Sequence, residues 1–280
     1  MGGKFDVRRS WRSRLRVMPT IPTRPSAAAT EPVNLLVLGG TSEGFALARV
    51  LGDEKGLRII SSLAGVTATP RLPRGEVRVG GFGGSDGLTE YLRHNRIGGV
   101  VDATHPFAAT IGGNAERACR QTGVPLLRLE RPAWSPGPGD CWIEVADWAE
   151  AADVVARTAR RVLLAIGRRE LVPFAALAQI WFLVRAVEAP NPMPGFAQAE
   201  LMLARGPFSL EDERRLLTEH RVDTIVCRNS GGSAAAAKLV AARELGLRVV
   251  LRRRPPRPAG LPCAYSVSEA VAWVHALSGR

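Results

Sequence analysis

Val33-Asn34-Leu35-Leu36-Val37-Leu38-Gly39-Gly40-Thr41-Ser42-Glu43-Gly44 is the stretch that decides how this chain is read. An apolar run of strand length breaks into two glycines, two hydroxyls and an acid, then into residues 45–51 with helical spacing. A buried strand, a glycine turn and a helix, in that order, open a phosphate site in a parallel α/β sheet. Glycine lets the backbone approach a ligand, and the first turn of the helix presents N–H groups that lack intrahelical partners. The turn fits neither standard pattern. The dinucleotide fingerprint needs glycine at position 41, where threonine stands; a Walker loop needs lysine at 45, where phenylalanine stands. It is a phosphate-loop candidate, with a ligand-free strand-to-helix turn as the alternative.

Outward from this turn, Leu57-Arg58-Ile59-Ile60-Ser61-Ser62 reads as a second strand. An Asp or Glu near its end would bind a ribose 2′-hydroxyl; here it ends in serines, and the nearest downstream charges are Arg71 and Arg74. Small hydroxyls and arginine favour a 2′-phosphate, hence NADP over NAD. A third strand, Glu76-Val77-Arg78-Val79, runs into Gly80-Gly81-Phe82-Gly83-Gly84, with Ser85 predicted to cap the next helix. A fourth ends in Asp102-Ala103-Thr104-His105-Pro106-Phe107, and a fifth covers residues 124–129. The acid, hydroxyl and imidazole lie at a strand's carboxyl end, where open α/β sheets bind ligands.

Ser135-Pro136-Gly137-Pro138-Gly139-Asp140 is the best domain boundary. Beyond it the alternation resumes, with strands at 161–166, 181–187, 200–205, 224–227 and 247–251. Two turns carry polar residues, Gly167-Arg168-Arg169 and Arg228-Asn229-Ser230-Gly231-Gly232, the latter leading into an alanine-rich helix with Lys238. Ser209 with Asp212, and Ser266 with Glu269, form capping boxes. Nine or ten strands alternating with helices predict an α/β protein: two Rossmann-like doubly wound domains with mainly parallel sheets and a cleft between them. The expected division is a basic disordered extension (1–32), an NADP-binding domain (33–134) and a second Rossmann-like domain (140–280).

Composition narrows the class. A hydrophobic content of 46% and 23% charged residues are those of a soluble globular chain. No apolar run reaches the ~18 residues of a membrane span. Four cysteines without a CxxC pair, and four histidines without a ligand-spaced cluster, predict no metal site and free buried thiols. Residues 1–30 hold seven basic residues against one acid, half of the net charge of +12, and lack the apolar core of a signal peptide. Met18 is an alternative initiator. Arginines recur just past strand ends (Arg128, Arg131, Arg168, Arg169, Arg185, Arg205, Arg228) and fit a polycarboxylate or phosphate ligand. From the residues alone, then, the chain is an NADP-binding reductase acting on an anionic substrate.

A resemblance takes this further. The segments Leu38-Gly39-Gly40-Thr41-Ser42-Glu43, Asp102-Ala103-Thr104-His105-Pro106-Phe107-Ala108, Glu130-Arg131-Pro132, Ala165-Ile166-Gly167-Arg168, Ala204-Arg205-Gly206-Pro207-Phe208 and Asn229-Ser230-Gly231-Gly232 occur in this order. Together they resemble the precorrin-6A reductase family of cobalamin biosynthesis. Arg228 departs from the pattern, which has lysine there; the charge is kept, but a fork replaces a point charge.

The resemblance implies a cytoplasmic, NADPH-dependent oxidoreductase acting on a CH–CH group, reducing precorrin-6A to precorrin-6B, and a monomer is expected. Gly39, Gly40, Thr41, Ser42 and Glu43 would serve the cofactor's phosphates and ribose, with Ser61, Ser62 and Ala64 near the adenosine. Thr104 and His105 would lie at the nicotinamide end, with His105 or solvent as the proton source. Arg131, Arg168, Arg228, Asn229, Ser230 and Gly231 would line the facing side. No membrane or nucleic-acid partner is expected. The alternatives are a cobalt-precorrin-6A reductase, a non-catalytic NADP-binding sensor, and a nucleic-acid binder using the basic arm with Arg252-Arg253-Arg254.

Overall fold

The computed structural model describes residues 32–65, 72–256 and 260–279, so the basic extension up to residue 31 and Arg71 lie outside the described residues. The opening stretch folds as read, with β1 (Val33–Leu38) running into α1 (Ser42–Leu51). Leu35, Leu36, Val37 and Leu38 are at most 1% exposed, so β1 needs apolar side chains on both faces, as a central parallel strand does. Leu35 and Val37 pack on one face with Leu47 and Leu51, while Leu36 and Leu38 face the other. The parallel neighbours are β2 (Leu57–Leu63), β3 (Glu76–Val79), β4 (Ile97–Asp102) and β5 (Leu126–Leu129), arranged β3-β2-β1-β4-β5. Two helices, α2 (Gly84–His94) and α3 (Ala109–Thr122), cover the second face through Leu88, Leu92, Ala115 and Cys119.

The second sheet repeats the plan. It contains β6 (Cys141–Val145), β7 (Arg161–Ala165), β8 (Trp181–Ala186), β9 (Ala199–Leu203), β10 (Thr224–Arg228) and β11 (Arg248–Arg252), in the order β9-β8-β7-β10-β11-β6. One face packs on α4 (Trp148–Thr158) and α5 (Val172–Ala175), through Trp148, Val155 and Phe174. The other packs on α6 (Leu210–Glu219) and α7 (Ala237–Glu244), through Leu216, Leu217, Leu239 and Ala242. Every strand pair in both sheets is parallel.

Two strands escape the sequence reading, and together they change the domain picture. β5 is followed by β6, which joins the second sheet; β11 is followed by β12 (Cys263–Ala264), which returns to pair with β5 in the first. Each sheet thus obtains its sixth strand from a segment that crosses between them. α8 (Val267–Leu277) follows β12 and packs Ala270 and Val274 into the core that holds Leu47 and Leu51. The expected second domain, 140–280, is corrected accordingly: residues 263–277 belong to the first lobe, and residues 32–280 form one compact unit. β12 is two residues long and β6 is largely half-exposed, so neither carries the buried apolar run that betrays a parallel strand.

Two smaller expectations also change. Ser209 and Ser266 cap α6 and α8 as predicted, but α2 starts from Gly83, whose φ of 80° only glycine adopts readily; Ser85 falls inside its first turn. Of the free cysteines, Cys119 and Cys227 are buried, whereas Cys141 and Cys263 are exposed. Among the described residues no helix is long and apolar enough to cross a membrane.

Candidate active site

Strand order reverses between β1 and β4 in the first sheet and between β7 and β10 in the second. Ligands of open α/β sheets bind just outside such points. Here the two points meet: His105, after β4, lies 3.1 Å from Ser230, after β10 (Nε2 to Oγ).

At the first point, Thr41 is buried and its hydroxyl is engaged twice. It donates to the Ala103 carbonyl (2.6 Å) and accepts from the Gly44 N–H (3.2 Å), which caps α1 and ties the turn to β4. Beyond the half-buried Gly39, Gly40 is exposed, with φ of 108° and, among the described residues, nothing within 4 Å of where a Cβ would stand, so its backbone is open to a ligand. Ser42 is exposed and donates to Glu43, whose carboxylate receives Arg131 at 2.8 Å.

One strand further out, Ser61 and Ser62 are buried at the end of β2, and Ala64 is exposed beyond them. Among the described residues the Ser61 hydroxyl has no hydrogen-bond partner. Arg78 on β3, in register with Ser62, approaches its hydroxyl at 3.5 Å, binds the Gly80 and Gly81 carbonyls, and stacks 3.8 Å over the Phe82 ring. Sequence reasoning named Arg71 and Arg74 for this corner. Arg74 instead pairs with Asp53 on the surface, and Arg78, mid-strand rather than after one, carries no such signal in the sequence.

The residues after β4 rest on a buried charge chain. Asp102 pairs with Arg128 at 2.6 Å, both side chains under 5% exposed. Arg128 also reaches the Thr104 hydroxyl (3.0 Å), the Thr104 carbonyl (2.8 Å) and Glu130 (3.4 Å), and Glu130 accepts from Arg254 at 2.7 Å. The Thr104 hydroxyl in turn donates to Asp102. Asp102 and Thr104 therefore hold the loop that presents His105. The His105 Nδ1 accepts the Phe107 N–H at 3.2 Å, which leaves the proton on Nε2, facing Ser230. Burial, followed by the fields of Arg228, Arg131, Arg254 and Arg128, pushes its pKa down to about 3. The ring is neutral at neutral pH and has no imidazolium proton to give.

On the facing side, the Asn229 side chain grips the segment between the lobes, accepting the Trp134 N–H (2.8 Å) and donating to the Trp134 carbonyl (2.9 Å). Arg131 bridges Glu43 and the Ser230 carbonyl. Gly231 has φ of 70°, and a Cβ there would strike the Pro132 carbonyl, so the turn admits only glycine.

Beside His105 opens a cavity of about 630 Å³, lined chiefly by the ends of β7, β8 and β10, by Phe208 and by α7. Among the described residues, His105 is the one lining residue from the first lobe. Four cations (Arg168, Arg185, Arg228, Lys238) face two carboxylates (Glu188, Glu213) on its wall. Arg168 and Arg228 both line it, yet both are paired: Arg168 with Glu188 at 2.8 Å, and Arg228 with Glu170. Arg131 does not line it. Lys238, noted only as part of a helix, does.

Comparison with known proteins agrees with this geometry. Residues 34–275 match the family model described as precorrin-6x reductase CbiJ/CobK. A precorrin-6A reductase of Rhodococcus erythropolis is 49% identical over 247 residues, 88% of this chain and 99% of that protein. A cobalt-precorrin-6A reductase of Priestia megaterium is 31% identical over 254 residues, covering 87% and 97%. Among solved structures, a CobK precorrin-6A reductase superposes with a TM-score of 0.82 at 41% identity, covering 88% of this chain and 97% of that one. The paired switch points, the loop built on Asp102 and Arg128, and a match running nearly end to end lead to one conclusion: the chain belongs to the precorrin-6x reductase (CbiJ/CobK) family.

Proposed function

We propose that this chain reduces one double bond of the precorrin-6A macrocycle to give precorrin-6B, with NADPH as the reductant, as a cytoplasmic monomer in cobalamin biosynthesis. The observation that carries this reading is the cationic cavity opening at His105, beside the β1–β4 switch point. A polycarboxylate macrocycle suits such a wall, and a dinucleotide suits the neighbouring corner. Identity of 49% to a precorrin-6A reductase, against 31% to a cobalt-precorrin-6A reductase, favours the metal-free substrate.

The residues of the first corner fit a nicotinamide dinucleotide. Gly40 leaves its backbone open and the N-terminus of α1 favours the pyrophosphate; Ser61, whose hydroxyl has no partner among the described residues, would serve the adenosine ribose. We assign the 2′-phosphate to Ser62 and Arg78. When bound, the reduced nicotinamide supplies hydride to a ring carbon of the substrate. The chain's part is to hold the two flat ligands together and shed the water between them. His105, neutral and donating to Ser230, positions this junction, and the proton reaches the second carbon from solvent.

The test is nucleotide oxidation on adding precorrin-6A, with NADPH and NADH in parallel, for the wild type and Arg78→Ala. NADPH should be preferred at least about tenfold, and Arg78→Ala should raise the KM for NADPH about 10- to 100-fold while leaving NADH use alone. Equal use of both nucleotides by the wild type would overturn the Arg78 assignment. Absence of any turnover would overturn the substrate.

A further inference from the structure

The arginines that border the cavity already have carboxylates of the protein. Arg168 has Glu188, Arg228 shares Glu170 with Arg252, and Arg185 grips both oxygens of Glu213 at 2.9 and 3.1 Å, the last pair almost wholly buried. Lys238 differs. It lies in the first turn of α7, lines the cavity and is 7% exposed. Its Nζ donates to the Ala235 carbonyl at 2.7 Å and lies 5.0 Å from the centre of the Trp134 ring. Among the described residues it has no ion pair with a carboxylate, and Glu213, whose field also reaches it, is taken by Arg185.

An ammonium carries three donors, and one carbonyl satisfies one of them. A buried cation without a counter-ion is costly, and an apolar residue of similar volume would pack there without that cost. A cation kept in a cavity wall on these terms calls for an anion from outside the chain. Burial lowers the Lys238 pKa, and an arriving carboxylate would hold the ammonium charged.

We propose that Lys238 anchors one carboxylate arm of the substrate, forming with Ala235 and Trp134 a subsite at the floor of the cavity that fixes the macrocycle relative to His105. This rests on the reading of the substrate as an acidic tetrapyrrole. Lys238 is then a binding residue that sets orientation; the arginines around it shape the wall while paired to the protein's own acids.

Two measurements on the full chain, wild type against Lys238→Met, test it. In steady state with saturating NADPH, Lys238→Met should raise the KM for precorrin-6A about 10- to 100-fold and change kcat much less, with the Kd for NADPH unaltered. At equilibrium, uroporphyrin III, a stable polycarboxylate tetrapyrrole, should bind the variant more weakly by a similar factor. Thermal unfolding separates a ligand role from a structural one: removing an unpaired buried charge leaves Tm unchanged or raises it. Unchanged KM and unchanged porphyrin affinity would overturn the proposal, as would a fall in Tm accompanied by loss of NADPH binding. A wild type that binds uroporphyrin III through Lys238 yet ignores precorrin-6A would uphold the subsite and overturn the substrate instead.

Discussion

His105 shows at the scale of one residue how neighbours set a side chain's chemistry. Its motif, Asp102-Ala103-Thr104-His105, reads as a cluster of catalytic groups at a strand end. Folded, the acid and the hydroxyl serve Arg128, and the imidazole is neutral. A histidine whose pKa falls from 6.5 to about 3 on folding binds fewer protons than in the unfolded chain between those values. Its contribution is therefore fully present above pH 6.5 and is lost as pH falls towards 3, by about 1.4 kcal/mol per unit. His105→Gln keeps a donor for Ser230 and removes the titration. Urea unfolding at pH 7 and pH 5 should show the variant losing about 2 kcal/mol less than the wild type over that interval. Equal losses would mean that His105 is protonated in the folded protein.

At the scale of elements, the turn after β10 is the junction of the molecule. The segment leaving β5 is held there by Asn229 on Trp134 and by Arg131 on Ser230. The segment leaving β11 is held by Arg254, whose guanidinium donates to the carbonyls of Asn229, Arg131 and Ser230 and pairs with Glu130. One turn thus fastens both crossings. Arg254→Met should cost about 3 kcal/mol, because it leaves Glu130 short of a partner and three carbonyls without their donor. Chemical denaturation checks this, and a loss below about 1 kcal/mol would show that the crossings are held by packing alone. That Arg254 does this was not legible in Arg252-Arg253-Arg254, which reads as a solvated basic run.

For the whole molecule, the exchange of sixth strands makes the two lobes one folding unit. Ending the chain at residue 260 removes β12 and α8, strips Ala264, Ala270 and Val274 from the core beneath α1, and bares the edge of β5. Such a chain should lose its cooperative thermal transition and aggregate through that edge. A truncated protein with the wild-type Tm would show that the first lobe closes without its borrowed strand. For the same reason, residues 33–134 alone should not behave as a domain, although their sequence reads as one.

The sequence by itself determined the class of fold and the places where chemistry gathers. Apolar strand runs breaking into Gly39-Gly40, His105, Gly167 and Asn229-Ser230 are local patterns, and local patterns survive any arrangement of the rest. Only the tertiary structure decided which groups at those places remain available. Glu43 meets Arg131 across 88 residues and His105 meets Ser230 across 125, and no spacing rule reaches so far. The arginines that look like ligands are paired with acids brought in from elsewhere, and a lysine inside an alanine-rich helix is left facing the cavity. Charge is written in the sequence, but whether a charge has a partner depends on folding, because pairing is a property of distance in space.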